Sequence, residues 1–285
     1  MKCIVEVVCV GNELLIGKVV NTNAQWLARS ITSLGGYIRR ISVVGDVLDE
    51  ISSVLMAALS REPSFIITTG GLGPTFDDIT LESIAKMLKI PLSINEKALT
   101  MVMNKYRQYE AIDNKKIELT PARLKMATLP KGATPLHNPV GTAPGVFLAL
   151  GKSKMIALPG VPREVEAIFE ASVKPLIIEA VGNVFICEKT LNVTRVMESA
   201  IAPLLDETIR ENPHVYIKSH PKISEHHPLL ELHLMTTFKS KKTAEKMIEA
   251  SAEKMAQLIR EHGGKIVGFA TLTSLNTEKD FSDKK

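Results

Sequence analysis

Residues 64–90 read SFIITTGGLGPTFDDITLESIAKMLKI. A β-branched apolar run ends in Thr69, and three glycines follow within four positions, Gly70, Gly71 and Gly73. After Asp77 and Asp78 comes a stretch whose apolar residues recur at helical spacing. Strand, glycine turn and helix together make the repeating unit of a wound α/β fold, with the turn at the carboxyl end of its strand. Upstream the same alternation appears twice. CIVEVVCVG reads as a buried strand, and NTNAQWLARSITSLGG as a helix closed by Gly35 and Gly36. YIRRISVVGD then reads as a strand and VLDEISSVLMAALS as a helix. The βαβαβα order over the first 90 residues predicts a doubly wound parallel sheet with right-handed crossovers.

Downstream of Pro91, NEKALTMVMNKYRQYEAID predicts a polar helical excursion, an arm or cap over the sheet. ATPLHNPVGTAPGVFLAL and KMIALPG predict further strands, and PREVEAIFEASVKPLI a helix begun by Pro162. The pattern changes near residue 180. Strand, helix, strand, strand and long helix follow, which predicts a small α+β domain of two helices on an antiparallel sheet over 180–265. Residues 266–285 are expected to be a polar C-terminal tail.

The chain has 285 residues, enough for two domains, with 45% apolar and 23% charged residues, the balance of a globular protein. A net charge of +4 is too weak and dispersed to argue for nucleic acid. No apolar run approaches the roughly 18 residues that would span a bilayer, and the start lacks a signal-peptide cleavage site. A cytoplasmic location is therefore expected. Cys3 and Cys9 fall on the first strand and are expected to be small apolar residues, and Trp26 is expected in the core. His226, His227 and His233 lack the spacing of metal ligands on a helix and read as surface residues.

In open α/β sheets, ligands bind at the carboxyl ends of the strands. The glycine turn offers backbone N–H groups and the positive end of the next helix to an anion. Two aspartates there have a bland explanation: Asp77 caps the helix and Asp78 complements its dipole. So much glycine beside two acids argues for more. Carboxylates repel a phosphate unless a divalent cation lies between them, and Mg²⁺ is commonly held by one or two carboxylates plus phosphate oxygens. Asp77 and Asp78 are thus candidate metal ligands, at a site suited to attack of water on phosphorus. Glu13 is either a further carboxylate or general base, or a solvated loop residue. Asn21 and Asn23 could bind ribose or phosphate oxygens, although Asn21 or Thr22 could equally be the helix N-cap. Asp46 is more readily a cap than a ligand. Asn138, Gly141 and Thr142 form either a ligand-facing turn or a plain connector. Arg163 is a better phosphate partner than Glu164, whose place at a helix start suits dipole complementation.

VGNELLIGKVVNTN, TTGGLGPTFDDIT, NPVGTAPG and LPGVPRE, in this order, resemble the CinA (competence/damage-inducible protein A) family over roughly residues 1–175. The resemblance implies a three-layer α/β/α domain with a mostly parallel sheet, similar to MoaB and MogA, followed by a KH-like domain. It implies metal-dependent hydrolysis of the diphosphate of ADP-ribose or a related dinucleotide, with Mg²⁺, Mn²⁺ or Co²⁺. On that pattern Asp77, Asp78 and Glu13 are catalytic. Asn21, Asn23, Asp46, Thr69, Gly70, Gly71, Gly73, Thr75, Thr80, Asn138, Gly141, Thr142, Gly160 and Arg163 would bind a small-molecule nucleotide. A homodimer is also implied, and neither membrane nor nucleic acid is expected as a partner. The KH-like segment lacks the G-x-x-G loop that clamps nucleic acid. The chain ends before the amidase domain of full-length relatives, so amidase activity is not expected. Phe76 stands where the family often has proline. Two other functions share these motifs: pterin-phosphate binding in molybdenum-cofactor metabolism, and a non-catalytic role linked to competence or DNA damage.

Overall fold

The run IVEVVCV forms β1 (Ile4–Val10), with residues buried on both faces, as expected of a central strand in a parallel sheet. Its one charged residue, Glu6, is 2% exposed and accepts Nε and Nη2 of Arg61 at 2.8 and 2.5 Å. This two-pronged ion pair compensates the buried carboxylate. The computed structural model describes residues 3–113, 118–222 and 229–275. His226, His227 and the expected tail beyond 275 lie outside them.

The chain divides into two units, Met1–Thr32 with Gly36–Val181, and Ser33–Gly35 with Gly182–Lys285. In the first, β1 is followed by α1 (Asn12–Leu15), α2 (Thr22–Ser33), β2 (Tyr37–Val44), α3 (Leu48–Ser60), β3 (Phe65–Thr69) and α4 (Thr80–Leu88). β4 (Leu92–Ile94), the arm helix α5 (Glu96–Asp113), α6 (Pro121–Lys125), β5 (Thr128–Pro130) and β6 (Thr134–Leu136) come next. β7 (Gly145–Leu150), β8 (Ser153–Leu158), α7 (Pro162–Ile168) and α8 (Lys174–Val181) complete the unit. The expected single helix from Pro162 carries one π turn, Phe169–Val173, which joins α7 to α8.

The six strands run in the order β2-β1-β3-β8-β7-β6, the first four mutually parallel, with β7 antiparallel to both of its neighbours, β8 and β6. β4 and β5 form a separate antiparallel pair. From β1 the chain steps to β2 on one side, then crosses back to β3 on the other. Strand order therefore reverses between β1 and β3, and a crevice opens at their carboxyl ends. One face of the sheet is closed by Ile51 and Leu55 of α3 and by Leu81, Ile84 and Met87 of α4, which share a core with Val8, Val10 and Ile66. On α2, Leu27 and Ile31 are fully buried. Trp26 is half-buried rather than core, and packs edge-on against Phe169 at 5.2 Å. This is the three-layer α/β architecture with a mostly parallel sheet. Cys3 and Cys9 are buried as expected, and burial pushes the Cys3 thiol up to about 11, so it stays protonated.

The second unit contains β9 (Phe185–Thr194), α9 (Glu198–Glu211), β10 (Tyr216–Lys222), β11 (Leu229–Phe238), α10 (Lys241–Glu261) and β12 (Lys265–Leu275). Its sheet is antiparallel in the order β10-β11-β9-β12. Leu191, Leu232 and Leu234 share a core with Ile201 of α9 and with Ile248, Met255 and Ile259 of α10. The expected tail from 266 is corrected here: KIVGFATLTSL is a strand, paired with β9 from Lys265 opposite Thr194 to Leu275 opposite Phe185. It is an edge strand held largely by backbone pairing, so its side chains need no strong apolar alternation. No helix among the described residues is long and apolar enough to cross a membrane.

Candidate functional site

A cleft of about 610 Å³ lies at the carboxyl ends of β1, β3 and β8, where strand order reverses. Its floor is backbone: Val10–Gly11, Gly70–Gly73 and Pro159–Pro162. Gly70 has φ 103°, and a Cβ there would lie 2.2 Å from the Val10 carbonyl oxygen. Only glycine lets β3 turn this close to β1.

Several expected ligand-binding side chains instead fix that floor. The Thr69 hydroxyl donates to the Pro159 carbonyl at 2.7 Å and accepts from Asn23 Nδ2 at 2.9 Å. Asn23 Nδ2 also reaches the Gly160 carbonyl at 2.8 Å. The Thr80 hydroxyl donates to the Gly70 carbonyl at 2.8 Å, tying the start of α4 to the end of β3. Asn21 is the N-cap of α2, its Oδ1 accepting from Ala24 N at 3.1 Å. Asp46 caps too, but across space: its Oδ2 accepts from Asn12 N at 2.8 Å, at the start of α1.

Asp77 and Asp78 do not cap α4, which starts at Thr80 with Ile79 in the N-cap position. They close their own loop on Thr75. Asp78 Oδ2 accepts from Thr75 N at 2.8 Å and lies 2.6 Å from the Thr75 hydroxyl, which also contacts Asp77 Oδ1. A hydroxyl has one proton to give. Two carboxylates thus converge on a single donor, and a further positive partner would relieve their repulsion. Lys125 Nζ supports the loop from behind, donating to the Thr75 carbonyl at 2.7 Å and lying 3.5 Å from Glu82. The Asp77 carboxyl is held below its ordinary range, first by the Thr75 hydroxyl and then by its own backbone amide and Lys125, against a small opposing effect of burial. A lowered folded value means that this interaction is present above the ordinary 3.8 and is lost as pH falls through the folded value. Thr75→Val is expected to raise the Asp77 pKa toward 3.8, read from the side-chain carboxyl resonance in an NMR titration.

Asn138 does not line the cleft; it bonds Glu164, which does, and is 5% exposed and fully occupied. Its Nδ2 donates to the Ala143 carbonyl at 2.8 Å and to Glu164 Oε2 at 2.7 Å, while its Oδ1 accepts from Val140 N and Gly141 N. A Cβ on Gly141 would lie 2.1 Å from the Glu164 carboxyl carbon, so this glycine admits the glutamate. The preference for Arg163 over Glu164 is reversed: Glu164 lines the cleft and Arg163 does not. Glu13 and Thr142 also line it, as do Gly71, Gly73 and Thr75. Five carboxylates (Glu13, Asp46, Asp77, Asp78 and Glu164) therefore face the cleft, and no lysine or arginine among the described residues lines it. The contribution of Lys125 has no sequence signal, because it depends on how α6 sits behind the loop.

No group of three or more histidine, cysteine or carboxylate side chains among the described residues is arranged to enclose a metal. Asp77 and Asp78 offer hard oxygen ligands only, which suits a Mg²⁺-like cation that takes its remaining ligands from phosphate and water.

Residues 6–179 match the family described as probable molybdopterin binding domain. A protein of Pyrobaculum arsenaticum is 45% identical over 259 residues, which is 90% of this chain and 95% of that protein. Among solved structures, the protein CinA with unknown function from Thermoplasma acidophilum aligns at 44% identity and TM-score 0.56, over 61% of this chain and 98% of that one. The molybdopterin biosynthesis enzyme MoaB of Thermus thermophilus aligns at 18% identity and TM-score 0.42, over 62% of this chain and 93% of its own. The family match takes in more than half the chain, which belongs to the probable molybdopterin binding domain family and carries a CinA-like member of it.

Proposed function

We propose that the cleft binds a phosphorylated pterin of the molybdopterin kind, with a divalent cation between its phosphate and Asp77 and Asp78. The observation that carries this reading is the family match over residues 6–179, which contains every residue lining the cleft. The lining supports the cation: an anion meets five carboxylates and no lysine or arginine, so it needs a positive bridge. Half-buried Gly71 and Gly73 bring backbone into the cleft lining for phosphate oxygens, while Asn23, Thr69 and Thr80 hold the adjoining turn rigid.

One observation favours a second reading, hydrolysis of the diphosphate of ADP-ribose or a related dinucleotide. Glu13 shares the cleft with the aspartate pair and could accept a proton from an attacking water. A bound divalent cation would supply charge neutralisation at the phosphate. The test is calorimetric titration with 6-hydroxymethylpterin phosphate, with and without Mg²⁺, beside chromatography of ADP-ribose, FAD and NAD incubated with Mg²⁺, Mn²⁺ or Co²⁺. The pterin phosphate is expected to bind, more tightly with Mg²⁺, and no AMP is expected. AMP release would establish the second reading. Neither binding nor AMP release would overturn both.

A further inference from the structure

The turn over residues 137–144 separates the cleft from a second, smaller cavity of about 130 Å³, and Thr142 lines both. The far wall of this cavity is α5, which presents Met101, Asn104, Lys105 and Gln108. Their spacing of three, four and seven residues places them on one face of the helix. The chemistry of the lining is the reverse of the cleft's. It contains no carboxylate, and it carries the Lys105 ammonium, the His137 imidazole, the Thr142 hydroxyl and three side-chain amides, of which Asn138 is already fully bonded.

The groups on α5 have hydrogen-bonding capacity to spare. The Gln108 side chain, on α5, has no hydrogen-bond partner among the described residues. Asn104 Oδ1 accepts from Arg107 Nη1 at 3.1 Å, while its amide nitrogen has no partner among the described residues. Lys105 Nζ makes one long hydrogen bond among the described residues, 3.4 Å, to the Pro139 carbonyl, and lies 5.7 Å from the centroid of the Tyr109 ring. Met101, Pro139 and Pro144 add apolar surface. Apolar walls with a few directed amide donors and acceptors suit a flat, uncharged ring that bears carbonyl and ring-nitrogen acceptors. A negatively charged group is already provided for next door.

We propose that this cavity is a heterocycle subsite, in which Asn104, Lys105 and Gln108 read the oxo-amide edge of the ring whose phosphate lies in the cleft. The inference rests on the cleft being the phosphate site. Pterins and purines share this edge chemistry, and the experiment separates them. Side-chain amides at such a position act through specificity: a ring with the matching edge pairs them, and one without it leaves them unpaired.

The test is calorimetry on the full chain and on Asn104→Ala/Gln108→Ala, with Mg²⁺ throughout. The probes are inorganic pyrophosphate, 6-hydroxymethylpterin phosphate and ADP-ribose. Both positions are exposed on a helix and alanine favours helix, so the variant is expected to fold. Loss of two neutral hydrogen bonds should weaken the matching heterocyclic probe about tenfold or more, with pyrophosphate unchanged. Weakening of the pterin probe alone would assign the subsite to pterins, and of ADP-ribose alone to purines. Equal weakening of pyrophosphate would make the cavity a phosphate subsite and overturn the inference, as would no change with any probe. If pyrophosphate binds the unaltered chain but neither ring adds affinity, only the subsite falls. If nothing binds, the cleft reading falls with it.

Discussion

Asn at both 77 and 78 is expected to remove the cation dependence of phosphate-ligand binding, with a loss of roughly 100-fold or more in affinity at saturating Mg²⁺. Even the loss of an outer partner of a metal ligand costs roughly 10–100-fold, and here both proposed ligands change. The fold should survive. Asp77 is exposed and Asp78 half-buried, and asparagine can still accept from the Thr75 amide at position 78. A second effect has the opposite sign. Without a divalent cation the variant should bind the same pterin phosphate more tightly than the unaltered chain, because two of the five carboxylates facing the anion have been neutralised. Calorimetry with Mg²⁺ and with EDTA shows both effects. An unaltered Mg²⁺ dependence would move the cation away from the aspartate pair.

Gly70→Ala should be the most damaging single change in the first unit. The residue sits at φ 103°, and the new Cβ would meet the Val10 carbonyl oxygen at 2.2 Å. That oxygen belongs to the end of the central strand β1, so it cannot step aside as the tip of a flexible side chain could. Backbone strain of about 1–3 kcal/mol adds to the clash, and a total loss of about 3 kcal/mol or more is expected. Gly160→Ala is the control. Its nearest neighbour would be Gly70 Cα at an ordinary 3.6 Å, and its effect should stay within about 0.5 kcal/mol. Urea unfolding of both variants decides the matter; equal midpoints would mean that the Gly70 turn relaxes freely.

The alternation of β-branched runs and amphipathic stretches made the first unit legible as a wound α/β sheet, and the glycines after β3 marked where its crevice would open. These features are local, and local pattern is what a sequence displays. β12 was missed because an edge strand can carry Gly268, Thr271, Thr273 and Ser274 when its partner supplies the pairing. Capping stayed open as the alternative to metal ligation for Asp77 and Asp78 because the sequence does not say whether α4 begins at Asp77 or Thr80. Arg163 was preferred to Glu164 on chemistry alone, whereas the direction each takes from α7 depends on how that helix meets the sheet. Asn23, Thr69, Thr80 and Asn138 were read as ligand-binding, yet none lines the cleft, and their polar groups are taken up by neighbouring backbone and side chains. A polar residue near a ligand and one that shapes the ligand's seat look alike until their partners are known.

The partners that build the cleft floor are far apart along the chain. Thr69 reaches Pro159 across 90 residues, and Asn23 reaches Gly160 across 137. β3 acquires its neighbour β8 only after the arm helix and the β6–β7 pair have been laid down. On a ribosome, the glycine turn would therefore emerge long before the segment that completes it. Closing such long loops is costly until the distant contacts form. Ligand-binding competence should thus arrive late, with consolidation of the whole first unit, and the nascent turn would have no ligand to hold before then.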